Sequence, residues 1–256
     1  MSDMRVWFNK TKKELSSKDY QISALQELIN ESSEQLLGLR IIASHYAPRL
    51  DPSNLIPLIA IDENNQIVLV EFRKGKYNKL IQKGLMQLDY VKEHLSEFKM
   101  LLLDAGFDSK MMVWIPRLLI LGDDFNEYDG YAIRQLPYPI ELIKVQFLEK
   151  EVVLFEKIYV SRHLQDYQVN LPTDLHLQAL LRETLQFLTS LGDEVVGLGL
   201  QNQYNFRKIK QFCRIEWDES LIIHFKIRNK LFSRTFRSVE ELEKLSSLIE
   251  EAYDKG

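Results

Sequence analysis

The stretch Asn54 to Lys76, NLIPLIAIDENNQIVLVEFRKGK, limits the fold of this chain more than any other. Two apolar runs flank a short polar turn, the pattern of a β-hairpin. With Glu63, Asn64 and Asn65 as the turn, Asp62 pairs with Gln66, and stepping back along both strands sets Pro57 opposite Glu71. Directly opposed residues hold their Cβ atoms roughly 4.5 to 5.5 Å apart on one face of a sheet. Arg73, two residues beyond Glu71, points to the same side because strand side chains alternate. Two carboxylates at such positions would share a divalent ion, and a neighbouring cation would lie beside a scissile phosphate. This chain has a carboxylate on one strand and a proline on the other.

The rest of the chain reads as helices and strands around that hairpin. SKDYQISALQELINESSEQL, residues 17–36, carries Ile22, Leu25, Ile29 and Leu36 at helical spacing. LRIIASHYA is a strand. After the hairpin, NKLIQKGLMQLDYVKEHLSEF sets Leu80, Gly84, Gln87, Val91 and Leu95 along one helical stripe. RLLILGDDF has the continuous apolar run of a buried strand, and NEYDGYAIRQL is helical. IELIKVQFLE and EVVLFEKIYV then alternate around a tight polar turn. The order is that of an α/β layout with a mixed sheet flanked by helices.

Near Asp166 to Asn170 the pattern breaks. LPTDLHLQALLRETLQFLTSLG opens a new unit with proline near its start and Gly192 past its end, the punctuation of a helix. Four short strands follow, around 195–200, 204–209, 212–217 and 221–227, and a last helix begins at Ser238 with Glu241 completing a capping box. The expected division is a first domain over 1–168 and a smaller α+β domain with an antiparallel sheet over 169–256.

With 256 residues and 45% hydrophobic content the chain can bury a sizeable core. No apolar run approaches the roughly 18 to 20 residues of a membrane span, and MSDMRVWFNKTKKELSS lacks the apolar stretch of a secretory signal, so a soluble cytoplasmic protein is expected. Lone Cys213 rules out an internal disulfide and reads as a packing residue. The five histidines lack metal-ligand spacing, and there is no glycine-rich phosphate loop or Gly-x-Ser-x-Gly elbow, so no cofactor is implied.

The net charge of −4 is unevenly spread. Between Gln201 and Arg237 stand nine basic residues, Arg207, Lys208, Lys210, Arg214, Lys226, Arg228, Lys230, Arg234 and Arg237, against three acidic ones. A second run, Arg73, Lys74, Lys76, Lys79 and Lys83, follows the hairpin. Either run reads as a phosphate-binding surface or as a solvated face. Tyr204, Phe206, Phe212 and Trp217 read as base-stacking residues or, more simply, as core.

The strands IPLIAID and IVLVEFRK resemble the hairpin of the PD-(D/E)XK nuclease superfamily, in particular the restriction-endonuclease-like branch related to the archaeal NucS endonucleases. ALQELINESSEQLLG is similar to the family's opening helix, GLMQLDYV to its glutamine-bearing helix, and RLLILGDDF with the strands to Val160 to the closing part of its fold. The remainder is similar to a small domain of unknown function sometimes fused to such modules. The resemblance implies hydrolysis of a phosphodiester with Mg²⁺ or Mn²⁺ held by carboxylates. It also implies what is missing here. The family's first-strand aspartate falls on Pro57, its opening-helix glutamate on Ile22 and its lysine on Arg73, whose guanidinium does not substitute for a lysine acting on water. Glu71 is the acid that remains, and Gln87 corresponds to the helix glutamine.

The leading expectation is a catalytically inactive nuclease-like protein that binds nucleic acid or a protein partner, with Glu71, Arg73 and Gln87 as a vestigial site. Two alternatives stand beside it. One is an active Mg- or Mn-dependent endonuclease in which Asp51 moves in beside Glu71; the other is a structural or assembly protein, for example a homodimer.

Overall fold

The computed structural model describes residues 7–8, 13–75, 79–108, 112–228 and 230–255. Its centre is the hairpin. Strands β5 (Ile56–Ile61) and β6 (Gln66–Arg73) pair antiparallel with Leu58 against Val70 and Ile61 against Ile67, the register that the turn spacing implies. Three short strands precede them, β1 (Trp7–Phe8), β2 (Lys13–Glu14) and β3 (Ser17–Lys18), then helix α1 (Ile22–Leu37) and strand β4 (Arg40–Tyr46). Helices α2 (Leu80–Glu93) and α3 (Leu95–Asp104), strand β7 (Val113–Gly122), helix α4 (Glu127–Arg134) and strands β8 (Ile140–Leu148) and β9 (Val153–Val160) follow. They form a mixed sheet in the order β4, β5, β6, β7, β8, β9, with β3 on the far half of β8. β6 and β7 run parallel, as do β7 and β8.

Alternation along β6 sorts the core into two layers. Ile67 and Leu69 pack with Leu80, Leu88 and Val91 of α2, whereas Val68, Val70 and Phe72 pack with Leu25 and Ile29 of α1. Both faces being covered, every residue of β6 is buried. Gly84 brings α2 close to β7, since a Cβ there would lie 2.3 Å from Leu118 Cδ2.

The second sheet consists of β10 (Leu164–Val169), β11 (Val196–Gln201), β12 (Gln203–Arg207), β13 (Gln211–Trp217), β14 (Leu221–Ile227) and β15 (Lys230–Phe236), in that order. Helices α5 (Leu175–Ser190) and α6 (Val239–Lys255) cover it. Leu181, Leu188 and Ile249 meet Phe206, Phe212, Ile215 and Ile223 there. Tyr204 and Trp217 belong to the same core, as does Cys213, whose thiol burial pushes up.

The structure departs from the sequence reading at four places. Residues 17–18 form β3 rather than the first turn of a helix. The long helix after the hairpin breaks at His94 (φ −118°, ψ 39°), whose ring stacks on Tyr90, and the chain restarts as α3 so that Phe98 and Leu102 turn inward. The second sheet is mixed rather than antiparallel, because β10 pairs parallel with β11. It therefore begins at Leu164, before the expected boundary at 169. Its last strand, β15, is an edge strand. Both unforeseen strands bury few apolar side chains, so neither displays the apolar alternation by which a strand is recognised. No helix among the described residues is long and apolar enough to cross a membrane.

Candidate functional site

The β5/β6 pairing ends with Leu58 opposite Val70, and the same register carried one step further would bring Pro57 beside Glu71. Glu71 is 2% exposed and faces α2, where the four-residue spacing of Lys83 and Gln87 presents both side chains to it. Gln87 Nε2 donates to Glu71 Oε1 at 2.6 Å and to the Leu55 carbonyl at 3.1 Å. Lys83 Nζ lies 2.8 Å from the same Oε1. Burial raises the Glu71 pKa, and the bonds from Lys83 and Gln87 offset only part of that shift. The carboxylate is thus enclosed by a helix that supplies both a cation and an amide donor.

Arg73 is equally enclosed. Its Nε donates to the Gly75 carbonyl and its Nη1 to Asp129 Oδ2, each at 3.0 Å, while its guanidinium lies over the Phe125 ring. Asp129 is itself part of the Asn126 capping box that starts α4, so Arg73 ties the end of β6 to that helix. Lys74 bridges Asp19 at 2.5 Å and Asp123 at 3.2 Å. Lys79 is exposed ahead of α2, and Lys76 lies outside the described residues.

Ile22 begins α1 and packs into the layer on the opposite side of the sheet from Glu71. Asp51 closes its own turn, accepting from Ser53 Oγ at 2.7 Å and from Asn54 N at 3.1 Å through its carbonyl. Among the described residues no three of His, Cys, Asp and Glu gather to hold a metal ion. The donor set at Glu71, one carboxylate already bonded to a lysine, does not fit a hard divalent cation.

A second polar centre escaped the sequence reading. Glu141 of β8 is buried on the α1 side of the sheet and collects three cations. Arg117 Nη1 of β7 lies 2.7 Å from Oε1, Arg207 Nη2 of β12 2.8 Å from Oε1, and Lys157 Nζ of β9 2.6 Å from Oε2. Asp62, at the hairpin turn, approaches Arg117 Nε at 3.4 Å. Burial works against the charge on Glu141, yet Lys157, Arg207 and Arg117 together hold its carboxyl well below the usual range. Lys157 is pushed down to about 8, by burial and by the two arginines beside it. The available signal was local: Arg117 interrupts the otherwise apolar strand β7, and a charge in such a place requires a partner.

This centre corrects the reading of the second basic run. Arg207, taken as a nucleic-acid contact, is 3% exposed and bonded to Glu141 from the other sheet. Lys208 donates to the Tyr253 carbonyl, Lys210 to the Gln35 carbonyl, and Arg214 pairs with Glu216 at 2.7 Å. Lys210 therefore fastens the β12–β13 turn to α1, as Arg207 fastens β12 to the first sheet. What stays exposed is the later part of the run, Lys226, Arg228, Lys230, Arg234 and Arg237, on and around β14 and β15.

No protein-family model, curated protein or solved structure matches this chain.

Proposed function

We propose that this chain is a non-hydrolytic, nuclease-like module that binds nucleic acid through the basic β14–β15 ribbon of its second sheet. The observation that carries the first half is the occupancy of Glu71: its carboxylate is bonded to Lys83 and Gln87, and the resemblance assigns the position of the second acid to Pro57, which has no ligand atom. The surrounding order of helix, hairpin, glutamine-bearing helix and buried strand supports the resemblance to the restriction-endonuclease-like fold.

The second half rests on charge. From Lys226 to Arg237 the sequence carries five cations and no acid, in a protein whose net charge is −4. β15 is the free edge of a six-stranded sheet, and the exposed lysines and arginines on and beside it can meet the phosphates of a nucleic-acid backbone. Affinity from such contacts falls steeply with salt.

Two measurements test the reading together. Single-stranded, duplex and branched substrates incubated with Mg²⁺ or Mn²⁺ are expected to stay intact with both the wild-type protein and Glu71→Ala. Binding titrations at several salt concentrations are expected to give an affinity that drops as salt rises and a shallower slope for Lys226→Gln/Arg234→Gln. A metal-dependent cleavage abolished by Glu71→Ala would refute the non-hydrolytic reading; salt-independent or absent binding would refute the ribbon.

A further inference from the structure

A cleft of about 430 Å³ opens where the two sheets meet, between Lys92, Ile115 and the Pro137–Pro139 loop on one side and Arg162 to Tyr167 on the other. We infer that this cleft binds a nucleoside monophosphate, or the same group at the end of a strand, with the base against its tyrosine and proline walls and the phosphate on Arg162.

Three features of the cleft lead to that ligand. The first is an unsatisfied polar group. Gln165 is 5% exposed, lines the cleft, and its Oε1 has no hydrogen-bond partner. A buried amide oxygen without a partner is uncommon in a native protein and marks a place where something else completes the bonding. An amide presenting both donors and acceptors suits the edge of a nucleobase.

The second feature is charge. Arg162 and Lys92 are exposed at the cleft, and Arg162 has no ion pair among the described residues. The acid lining the cleft, Asp166, already accepts from Tyr204 Oη at 2.7 Å. Behind the wall Arg207 keeps its Nε and Nη1 without partners, and its charge acts on Tyr167 together with that of Arg162. Burial nevertheless raises the Tyr167 pKa, so the phenol retains its proton and can donate to an anionic oxygen. An arginine fork beside a tyrosine donor suits a phosphate.

The third feature is shape. The walls carry Tyr167 with Pro137 and Pro139, against which a base can stack, and Tyr138, whose ring lies under the Lys92 ammonium. The volume lies within the roughly 300 to 1,000 Å³ range of small-molecule sites. Because β10 and the loop before β8 form opposite walls, a bound ligand would touch both sheets at once. The inference rests on this cleft alone and survives or fails independently of the basic ribbon.

Calorimetric titration of the full chain decides it, with adenosine, guanosine, cytidine and uridine 5′-monophosphates, the corresponding nucleosides, inorganic phosphate, and a short oligonucleotide with and without a 5′-phosphate. At least one monophosphate is expected to saturate the protein, with its nucleoside binding ten-fold or more weaker. Arg162→Gln, a change at an exposed side chain, should weaken that binding by ten-fold or more, and Gln165→Leu should weaken it and alter the preference among bases. Saturation by free monophosphates identifies a soluble ligand, whereas saturation only by the 5′-phosphorylated oligonucleotide identifies a strand end; both support a phosphate site. Absence of saturable binding by any probe, or binding indifferent to Arg162→Gln, overturns the assignment.

Discussion

Arg207 Nη2 and Glu141 Oε1 lie 2.8 Å apart, one on the second sheet and one on the first. The bond spans 66 residues of sequence and turns two separately covered sheets into one structure. Lys157 Nζ also donates to the Lys208 carbonyl, and Gln211 N donates to Glu63 Oε2 at 2.7 Å, so the β12–β13 end of the second sheet grips the hairpin end of the first. A basic residue that reads in sequence as an offer to a phosphate is here answered by an acid of the same chain.

Removing Glu141 is therefore expected to destabilise the fold severely. Glu141→Ala leaves three cations facing one another without their carboxylate, and breaking a buried pair by deleting one partner costs on the order of 3 to 5 kcal/mol. Arg207→Ala should cost a similar amount, while Arg214→Ala, at a half-exposed pair, should stay within about 1 kcal/mol. Urea unfolding of the three variants provides the comparison; equal effects would mean that Glu141 contributes no more than a surface acid.

Lys157 makes the same centre sensitive to alkali. Its folded pKa of about 8 lies below the 10.5 of an ordinary lysine. Between these values the unfolded chain holds a proton that the folded chain has released, so stability rises with pH across that window. Near and below pH 8 the proton is bound in both states and the burial of a charged lysine remains as a cost, on the order of 3 kcal/mol. The check is the difference between wild type and Lys157→Met in urea unfolding at pH 7, 9 and 10.5. The wild type should gain on the variant as pH rises, and a wild type that loses ground would reverse the sign of the argument.

The hairpin was legible in the sequence because its turn is short and both strands are apolar: the pairing of Leu58 with Val70 follows from counting outward from Asn64. Gln87 was legible as a polar residue on an apolar helical stripe, and it meets Glu71. The centre at Glu141 was not, because its members sit at positions 62, 117, 141, 157 and 207 and no local spacing relates them. Strands β10 and β15 were hidden for a different reason. Each lies at an edge of its sheet with largely polar side chains, and hydrophobic periodicity reports burial rather than hydrogen bonding.

Gly84 should prove intolerant of even a methyl group. The missing Cβ would stand 2.3 Å from Leu118 Cδ2, and Leu118 is fully buried in the layer between α2 and β7. Overpacking of this kind costs about 1 to 3 kcal/mol. Leu118→Ala removes the obstructing methyls, so Gly84→Ala combined with Leu118→Ala should be less damaging than the sum of the two single changes, a coupling that a double-mutant cycle in denaturant measures. Strict additivity would show that α2 moves aside instead.

Pro57→Asp tests what Glu71 is for. If the β5/β6 register continues one step past Leu58 and Val70, an aspartate there holds its Cβ roughly 4.5 to 5.5 Å from that of Glu71, close enough for two acids to share an ion. Two buried carboxylates repel, so the variant is expected to melt below the wild type in the absence of divalent ions. Millimolar Mn²⁺ should restore part of the loss, because an ion that binds only the folded state stabilises it in proportion to its occupancy. Adding Lys83→Ala removes the cation 2.8 Å from Glu71 Oε1, which competes with an ion for the carboxylate, and should enlarge the Mn²⁺ response. The wild type, with Glu71 held by Lys83 and Gln87, should show none. A wild-type melting temperature that climbs with Mn²⁺ and loses that dependence in Glu71→Gln would show that one carboxylate suffices here, against the proposed non-hydrolytic reading.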